Sequence, residues 1–226
     1  MIAAITGLIA GTIHVLTGPD HLTAIAPLAV RRPKGAWIPG VRWGLGHSSG
    51  VAAVGLLSLW LRGSLPVDLL SSWGDRIVGV VLFGIGLWAL RRAFKQNIHA
   101  HEHEHQGARH VHLHVHHDHA RHEEPRAHER HTHTAFAIGT LHGLAGSSHF
   151  LGILPMLALP TMTQAVSYLV AFGVGTVLAM AGFSWGVGFL ATRCAANSEK
   201  VYRGLMGACA MAAMVIGCIW FMGKSW

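Results

Sequence analysis

The chain has 226 residues, of which 51% are hydrophobic and 12% carry a charge, and its mean hydropathy is +0.41. Soluble domains carry roughly 25% charged residues, so this composition excludes an ordinary soluble enzyme or binding module and predicts a protein of the lipid bilayer. The formal net charge of +7 does not indicate nucleic-acid binding, because the basic residues are spread over the ends of apolar runs.

Six apolar runs of membrane-spanning length, roughly 20 residues or more each, follow one another along the chain. They are 2–30, 36–61, 76–94, 135–159, 163–191 and 203–222. Met1 leads straight into the first run without the basic segment and cleavage site of a signal peptide, so we expect this run to be retained as a span.

The distribution of basic residues predicts the orientation in the cell membrane. If the N-terminus faces outward, only Arg62, Arg76 and Lys224 lie outside, and all other lysines and arginines lie inside. The positive-inside rule therefore predicts that both termini are outside and that the central loop is cytoplasmic.

The first run contains the polar motif "HVLTGPDH", residues 14–21. Pro19 has no N–H and follows Gly18, so we expect the helix to break there into two half-helices. Asp20 is the only carboxylate well inside a predicted span, since Asp68 and Asp75 fall in the second connection.

An internal repeat relates the two halves of the chain. Residues 11–27 align with 139–155 without gaps and match at eight of seventeen positions, which predicts a second break at "AGSS", residues 145–148. A weaker match of 43–50 with 172–179 places Thr176 opposite His47. Because each half has three spans, the halves must have opposite orientations. We therefore predict an all-α polytopic membrane protein with six transmembrane helices in an inverted 3+3 repeat, the first helix of each half being broken.

The domain boundaries follow from this repeat: 1–97 for the first three-helix repeat, 98–134 for a histidine-rich loop, and 135–226 for the second repeat. Fourteen of the nineteen histidines lie in residues 99–133. Such a polar segment cannot bury a core, so we expect it to be disordered without metal. Histidine-rich tracts bind Ni, Zn, Cu or Co through neutral imidazole, so the loop is predicted to buffer or deliver metal.

The remaining histidines lie in the predicted spans, four of them in the two breaks. A single membrane histidine is as well explained by a hydrogen bond to a neighbouring helix, and a Gly-Pro pair alone by an ordinary kink. Ionisable groups in hydrocarbon are costly and usually mark a pathway, and imidazole with one carboxylate suits late first-row divalent ions. The predicted metal ligands are His14, Asp20, His21, His47, His142 and His149.

The motifs "HVLTGPDHLTAI" and "GLGHSSG", together with the histidine-rich loop, resemble the nickel–cobalt transporter superfamily with its NicO and UreH-like relatives. The family hallmark has four residues between His and Asp-His. Here five residues separate His14 from Asp20, which is more similar to the UreH and NicO side. The resemblance implies transport of Ni²⁺ or Co²⁺ across the cytoplasmic membrane and a metal-binding role for His14, Asp20, His21 and His47. His142 and His149 are added from the repeat.

We therefore expect a transporter of divalent metal ions, Ni²⁺ or Co²⁺ with Zn²⁺ as a further candidate, that works by alternating access between the two halves. Import and export are both open. The alternative is a membrane-bound metal buffer or accessory factor that delivers nickel to a metalloenzyme through the loop, and a cytoplasmic metallochaperone is a candidate partner. An intramembrane metalloenzyme would need a helical HExxH motif or a second carboxylate as base, which the spans lack. We expect no enzyme activity and no catalytic cofactor.

Overall fold

The structure is a computed structural model that describes residues 1–30, 35–61, 67–95, 98–105, 108–115, 126–145 and 148–223. Within these ranges the chain forms eight helices and one two-stranded sheet. The helices are α1 (Ile2–Thr17), α2 (Pro19–Val30), α3 (Trp37–Leu61), α4 (Val67–Lys95), α5 (Arg126–Ala145), α6 (Ser148–Leu157), α7 (Met162–Asn197) and α8 (Glu199–Phe221), and the strands are β1 (Ile98–His105) and β2 (Ala108–Val115).

The helical membrane fold is confirmed in its general form. In the described part of the chain three stretches are long and apolar enough to cross a membrane: Trp73–Phe94, Met162–Ala195 and Lys200–Phe221. α1 and α2 together make a fourth as a bent pair. α3 is not among them, and the apolar part of α5, Thr134–Ala145, is shorter than a span. Length and composition thus support up to four of the six expected spans.

The distribution of side chains suits a surrounding lipid phase. The outer side of α1 exposes five large aliphatic side chains: Ile2, Ile5, Ile9, Ile13 and Leu16. Polar side chains instead lie in the interior, and the buried ones include Asp20, His21, His47, Asp75, His142, Thr176 and Ser184. This inversion of the soluble pattern is expected where the outer surface meets hydrocarbon and the interior holds a site.

The break in the first span has a local cause. Gly18 has φ −85° and ψ 102°, and α2 starts directly after it with Pro19, which is favoured at the first position of a helix. The axes of α1 and α2 are bent by 72°. A Cβ atom at Gly18 would collide with the side chains of Asp20 and His21, so glycine is what allows the half-helices to meet. The expected break of the first helix is therefore confirmed.

In the second half, α5 ends at Ala145 and α6 begins at Ser148. The residues between them, 146–147, lie outside the described part of the chain. The two helices thus end and begin at the positions for which the repeat predicts the second break.

Small residues set the closest helix contacts. α1 packs on α7 and α5 packs on α3, in both cases with a glycine of one helix against a backbone carbonyl of the other. A side chain at any of these glycines would collide with its neighbour, which is how small residues let membrane helices approach closely. The contacts are Gly11 with Phe172 and Gly175 with Leu8 between α1 and α7, and Gly139 with Trp43 and Gly46 with Phe136 between α3 and α5.

α4 packs along α8 in a similar way, with Gly79 and Gly217 each against the carbonyl of the other. Between these helices and α2 lies an apolar cluster that includes Ile25, Leu82 and Trp220. These apolar side chains line the polar interior on this side.

Within the histidine-rich segment the structure describes two strands, and disorder of this segment without metal stays a prediction. β1 and β2 form an antiparallel pair, and its register places His99 opposite His114, His101 opposite His112, and His103 opposite His110. Alternating sequences satisfy their backbone groups well in such a ladder. α5 also begins at Arg126, within the segment assigned to the loop, whereas residues 116–125 lie outside the described part.

Candidate metal centre

Four helices bring the candidate ligands together. His14 lies in the last turn of α1, Asp20 and His21 lie in the first turn of α2, His47 lies in the middle of α3, and His142 lies in the last turn of α5. The break at Gly18 turns the chain so that both half-helices direct their ends to the same place. Five of the six predicted ligands therefore meet at one point.

Asp20 is the central acceptor of this group. Its Oδ1 atom accepts from His21 Nδ1 at 3.0 Å, and its Oδ2 atom accepts from His142 Nε2 at 2.9 Å. The Asp20 carboxylate is only 1% exposed. A buried carboxylate requires such partners, and its position in the first turn of α2 also places it in the favourable field of the helix N-terminus.

The imidazole rings pack closely around His21. The distance between ring centroids is 4.6 Å from His21 to His14, 4.8 Å to His47 and 4.8 Å to His142. Two sets of three side chains have potential ligand atoms within 4.8 Å of one another: His14, His21 and His47, and Asp20, His21 and His142. His21 belongs to both sets.

Aromatic side chains enclose His142. Its ring centroid lies 6.0 Å from the ring of Trp43 and 6.4 Å from that of Trp220. His14 is covered in the same way by Phe172, at 5.4 Å. The site is thus a small polar centre with apolar walls, a setting in which metal–ligand and hydrogen-bond interactions are strong because water is excluded.

The sixth predicted ligand, His149, belongs to α6, but its side chain lies outside the described part of the structure. Thr176, which the repeat places opposite His47, is fully buried on α7 and donates to the carbonyl of Gly11 at 3.5 Å. The position equivalent to His47 therefore carries a hydroxyl group that contacts the backbone of α1 at Gly11.

Two carboxylates, Asp68 and Asp75, were expected in the connection between the second and third spans, but both lie in α4. Of the two, Asp75 is 5% exposed and therefore buried. Apolarity alone gave the start of that span as residue 76, whereas the helix begins nine residues earlier at Val67. A search for helical continuity upstream of the apolar run would have included Asp75.

The donor set determines which chemistry the centre can perform. It offers imidazole nitrogens and one carboxylate, which suit Ni, Co, Cu and Zn better than Mg or Ca. Metal–nitrogen bonds of about 2.1 Å hold two ligand atoms at most about 4.2 Å apart, so a ligand-atom spacing of up to 4.8 Å needs only a small contraction to bind an ion.

Comparison with known proteins gives relatives of several kinds. The chain is 30% identical over 216 residues to the chloroplast protein FOR GROWTH AND FERTILITY 2 of Arabidopsis thaliana, which covers 95% of this chain and 55% of that protein. It is 28% identical over 194 residues to the urease accessory protein UreH of Bacillus sp., covering 80% and 74% of the two chains. It is also 28% identical over 103 residues to a putative nickel/cobalt efflux system of Methanocaldococcus jannaschii, covering 44% and 48%.

The chain thus spans about half the length of the first of these relatives. The UreH and nickel/cobalt relatives agree, at modest identity, with the resemblance found in the sequence motifs. No solved structure matches the chain.

One family model covers nearly the whole chain, from residue 3 to residue 219, and includes every helix that contributes to the centre. Its description is general for a membrane domain and names no metal. On this match, the protein belongs to the family described as the cytochrome C biogenesis protein transmembrane region.

Proposed function

We propose that the protein transports divalent transition-metal ions, Ni²⁺ or Co²⁺ with Zn²⁺ as a further candidate, across the cell membrane. One observation carries the proposal: five side chains of the types that ligate metals, from four helices, meet in the interior of a helical membrane protein. Burying that many ionisable groups is costly. A hydrogen-bonded packing role needs far fewer of them.

Two relatives support this function. One is named a urease accessory protein and another a putative nickel/cobalt efflux system. Both names concern nickel handling, since urease is a nickel enzyme. The name of the chloroplast relative mentions no metal, so it does not bear on the choice of ion.

We further propose that the halves form an inverted 3+3 repeat of six spans, with both termini outside and the loop in the cytoplasm. The glycine contacts support the repeat, because they pair at equivalent positions. Residues of α1 lie 128 positions before their counterparts in α5, and residues of α3 lie 129 positions before their counterparts in α7. The Gly11–Phe172 contact thus corresponds to Gly139–Trp43, and Gly175–Leu8 corresponds to Gly46–Phe136.

The proposed mechanism is alternating access at the centre. His14, His21 and His47 all belong to the first half and offer a cation three imidazoles, whereas His142 belongs to the second half and binds Asp20. A cation that takes the Asp20 carboxylate as a ligand competes with His142 for it. Binding would therefore loosen the link between the halves and permit them to rock, and His149 would extend the site from the second half.

Total cellular Ni, Co and Zn in cells that produce the wild type, Asp20→Asn or a deletion of residues 99–133 tests the proposal. We expect one metal to rise or fall with the wild type, the sign giving import or export. The change should vanish in Asp20→Asn and persist in the loop deletion. If cells that express Asp20→Asn well contain as much of the metal as cells that produce the wild type, transport through this centre is refuted.

A second candidate function, metal buffering and delivery through the loop, is favoured by the register of β1 and β2. The register places three histidines of β1 directly opposite three histidines of β2. Under this function a cytoplasmic metallochaperone or metalloenzyme is the partner, and metal content would follow the loop and ignore Asp20.

A further inference from the structure

The potential ligand atoms of the centre form two overlapping sets rather than one. Within each set the atoms lie within 4.8 Å of one another, and among the described side chains no set contains all five. We call them the imidazole set, which is His14, His21 and His47, and the carboxylate set, which is Asp20, His21 and His142. His21 is the one residue that belongs to both.

The ring of His21 lies between the two sets. Its centroid is 4.6 Å from that of His14 and 4.8 Å from that of His142. His47 and His142, which belong to different sets, have ring centroids only 5.4 Å apart. An ion can therefore pass from one set to the other by exchanging two ligands while it stays bound to His21.

The two sets hold one ion between them. Two divalent ions bound to the same imidazole would lie a few ångströms apart, and their repulsion is large where the effective dielectric constant is low. The five side chains include a single carboxylate, that of Asp20, so they cannot compensate four positive charges. Occupation of one set thus excludes occupation of the other.

The two sets differ in what an ion does to the hydrogen bonds of Asp20. His21 donates its Nδ1 proton to Asp20 at 3.0 Å, which leaves the Nε2 lone pair of His21 for an ion in the imidazole set. A carboxylate behind a metal-bound imidazole orients the ring, so in this state Asp20 keeps its bonds to His21 and to His142. An ion in the carboxylate set instead takes an Asp20 oxygen as a ligand and competes with both bonds.

Resting on the proposed transport function, we infer that the centre has two successive positions for one ion, which passes between the imidazole set and the carboxylate set with His21 as the shared ligand. The imidazole set offers three neutral ligands from α1, α2 and α3. The carboxylate set adds the negative charge from α2 and one ligand from α5. The Asp20–His142 contact between α2 and α5 then depends on which position is filled, so the movement of the ion is coupled to the packing of these helices.

The test begins with equilibrium dialysis of radioactive Ni²⁺ against full-length protein in detergent. The samples are the wild type, His47→Gln, His142→Gln, the double variant of these two, and His21→Gln. His21→Gln removes the shared ligand, so the difference from its isotherm measures the centre without the histidine-rich segment. We expect one ion for the wild type and for each single variant, because each single variant keeps one complete set.

The double variant distinguishes two positions from one. If either set alone can hold the ion, the loss of both should weaken binding by about tenfold or more beyond the product of the two single effects. If all five side chains act on one ion at one place, the single effects of His47→Gln and His142→Gln should simply multiply, and this result would overturn the inference. Two Ni²⁺ ions in the wild-type centre would also overturn it.

Ni²⁺ flux into proteoliposomes provides a readout that a merely structural role would not give. Each single variant keeps a bound ion but has lost the position to which the ion must pass, so its flux should fall by about tenfold or more. Ser184→Ala lies outside both sets and should keep both binding and flux. Wild-type flux in His47→Gln or in His142→Gln would refute passage between the two sets.

The outcomes separate this inference from the proposed function. If His21→Gln transports as the wild type does, the centre is not the path and the proposed function fails. If His21→Gln is inactive while the effects of His47→Gln and His142→Gln multiply, only the two positions fail. Should a glutamine variant not fold, the asparagine variant at the same residue carries the same comparison.

Discussion

Replacing Asp20 by asparagine should have opposite effects on metal binding and on stability. The amide oxygen of asparagine can accept a hydrogen bond from His21 or from His142, but its NH₂ group cannot accept the other. One charge-assisted hydrogen bond, worth about 1.5–3 kcal/mol, is lost. The desolvation penalty of a buried carboxylate, which is several kcal/mol, disappears at the same time. We therefore expect the metal-free variant to be about as stable as the wild type.

Metal binding should fall steeply in the same variant, because a divalent cation loses its only anionic ligand. A loss of about 2.7 kcal/mol corresponds to a dissociation constant about a hundredfold higher. At a Ni²⁺ concentration of a hundred times the wild-type dissociation constant, binding stabilises the wild type by about 2.7 kcal/mol and the variant by about 0.4 kcal/mol. With about 2–4 °C per kcal/mol for chains of this length, most of the Ni²⁺-induced rise in Tm should vanish.

Thermal unfolding of the purified protein in detergent, with and without Ni²⁺, measures both effects. Ser184→Ala is the matched control, because Ser184 is fully buried, donates to the carbonyl of Ala36 and is not one of the proposed ligands. It should lower the Tm through a lost hydrogen bond of about 1 kcal/mol and keep the full response to Ni²⁺. An undiminished Ni²⁺ response in Asp20→Asn would refute the reasoning. A collapse of its metal-free stability would show instead that Asp20 is a structural ion-pair partner.

Two further predictions concern the packing and the loop. Gly139→Ala should destabilise the fold by about 1–3 kcal/mol, because its Cβ collides with the Trp43 carbonyl. Gly182→Ala, which has open space around its Cβ position, should instead stabilise by about 0.5–1 kcal/mol through helix propensity, and equal Tm changes in the two would contradict this account. Exchanging His101 with Glu102 preserves composition and charge but places the histidine opposite Val111 instead of His112 in the strand register. Calorimetric titration of the full chain should then show fewer bound Ni²⁺ ions than in the wild type, whereas an unchanged isotherm would mean that the number of histidines matters and their register does not.

Sequence patterns located most of the centre because ionisable residues are conspicuous in apolar runs. His14, Asp20 and His21 surround a Gly-Pro break whose backbone consequence follows from the missing N–H of proline. His142 followed from the repeat. That Asp20 bonds to His142 in the other half could not be predicted, because it depends on how α5 packs on α3 and not on any local pattern.

The position of Asp75 and the strands within the loop were not predicted, for different physical reasons, and disorder of the loop without metal stays a prediction. Hydropathy measures where the apolar run begins, but a helix continues upstream as long as its backbone bonds are satisfied, and packing on Ala145 then buries Asp75. In the loop, low hydrophobicity argued for disorder, whereas the alternation of histidine with other residues from 98 to 105 and from 108 to 115 is a period-two pattern that favours strands. Six expected spans remain a prediction, because length and composition support up to four in the described part of the chain.

The paired glycine contacts have a thermodynamic consequence for the proposed alternation between outward-facing and inward-facing states. The α1–α7 and α3–α5 interfaces are counterparts in the repeat. A motion that loosens one and tightens the other replaces contacts by similar contacts, so the net change in packing energy is small. The two end states then differ mainly at positions where the halves are chemically unequal, such as Asp20 against Ser148 and His47 against Thr176. Under the proposed alternating-access mechanism, the resting preference for one side of the membrane is thereby set by a few side chains that single substitutions can alter, while the helix framework stays neutral between the two sides.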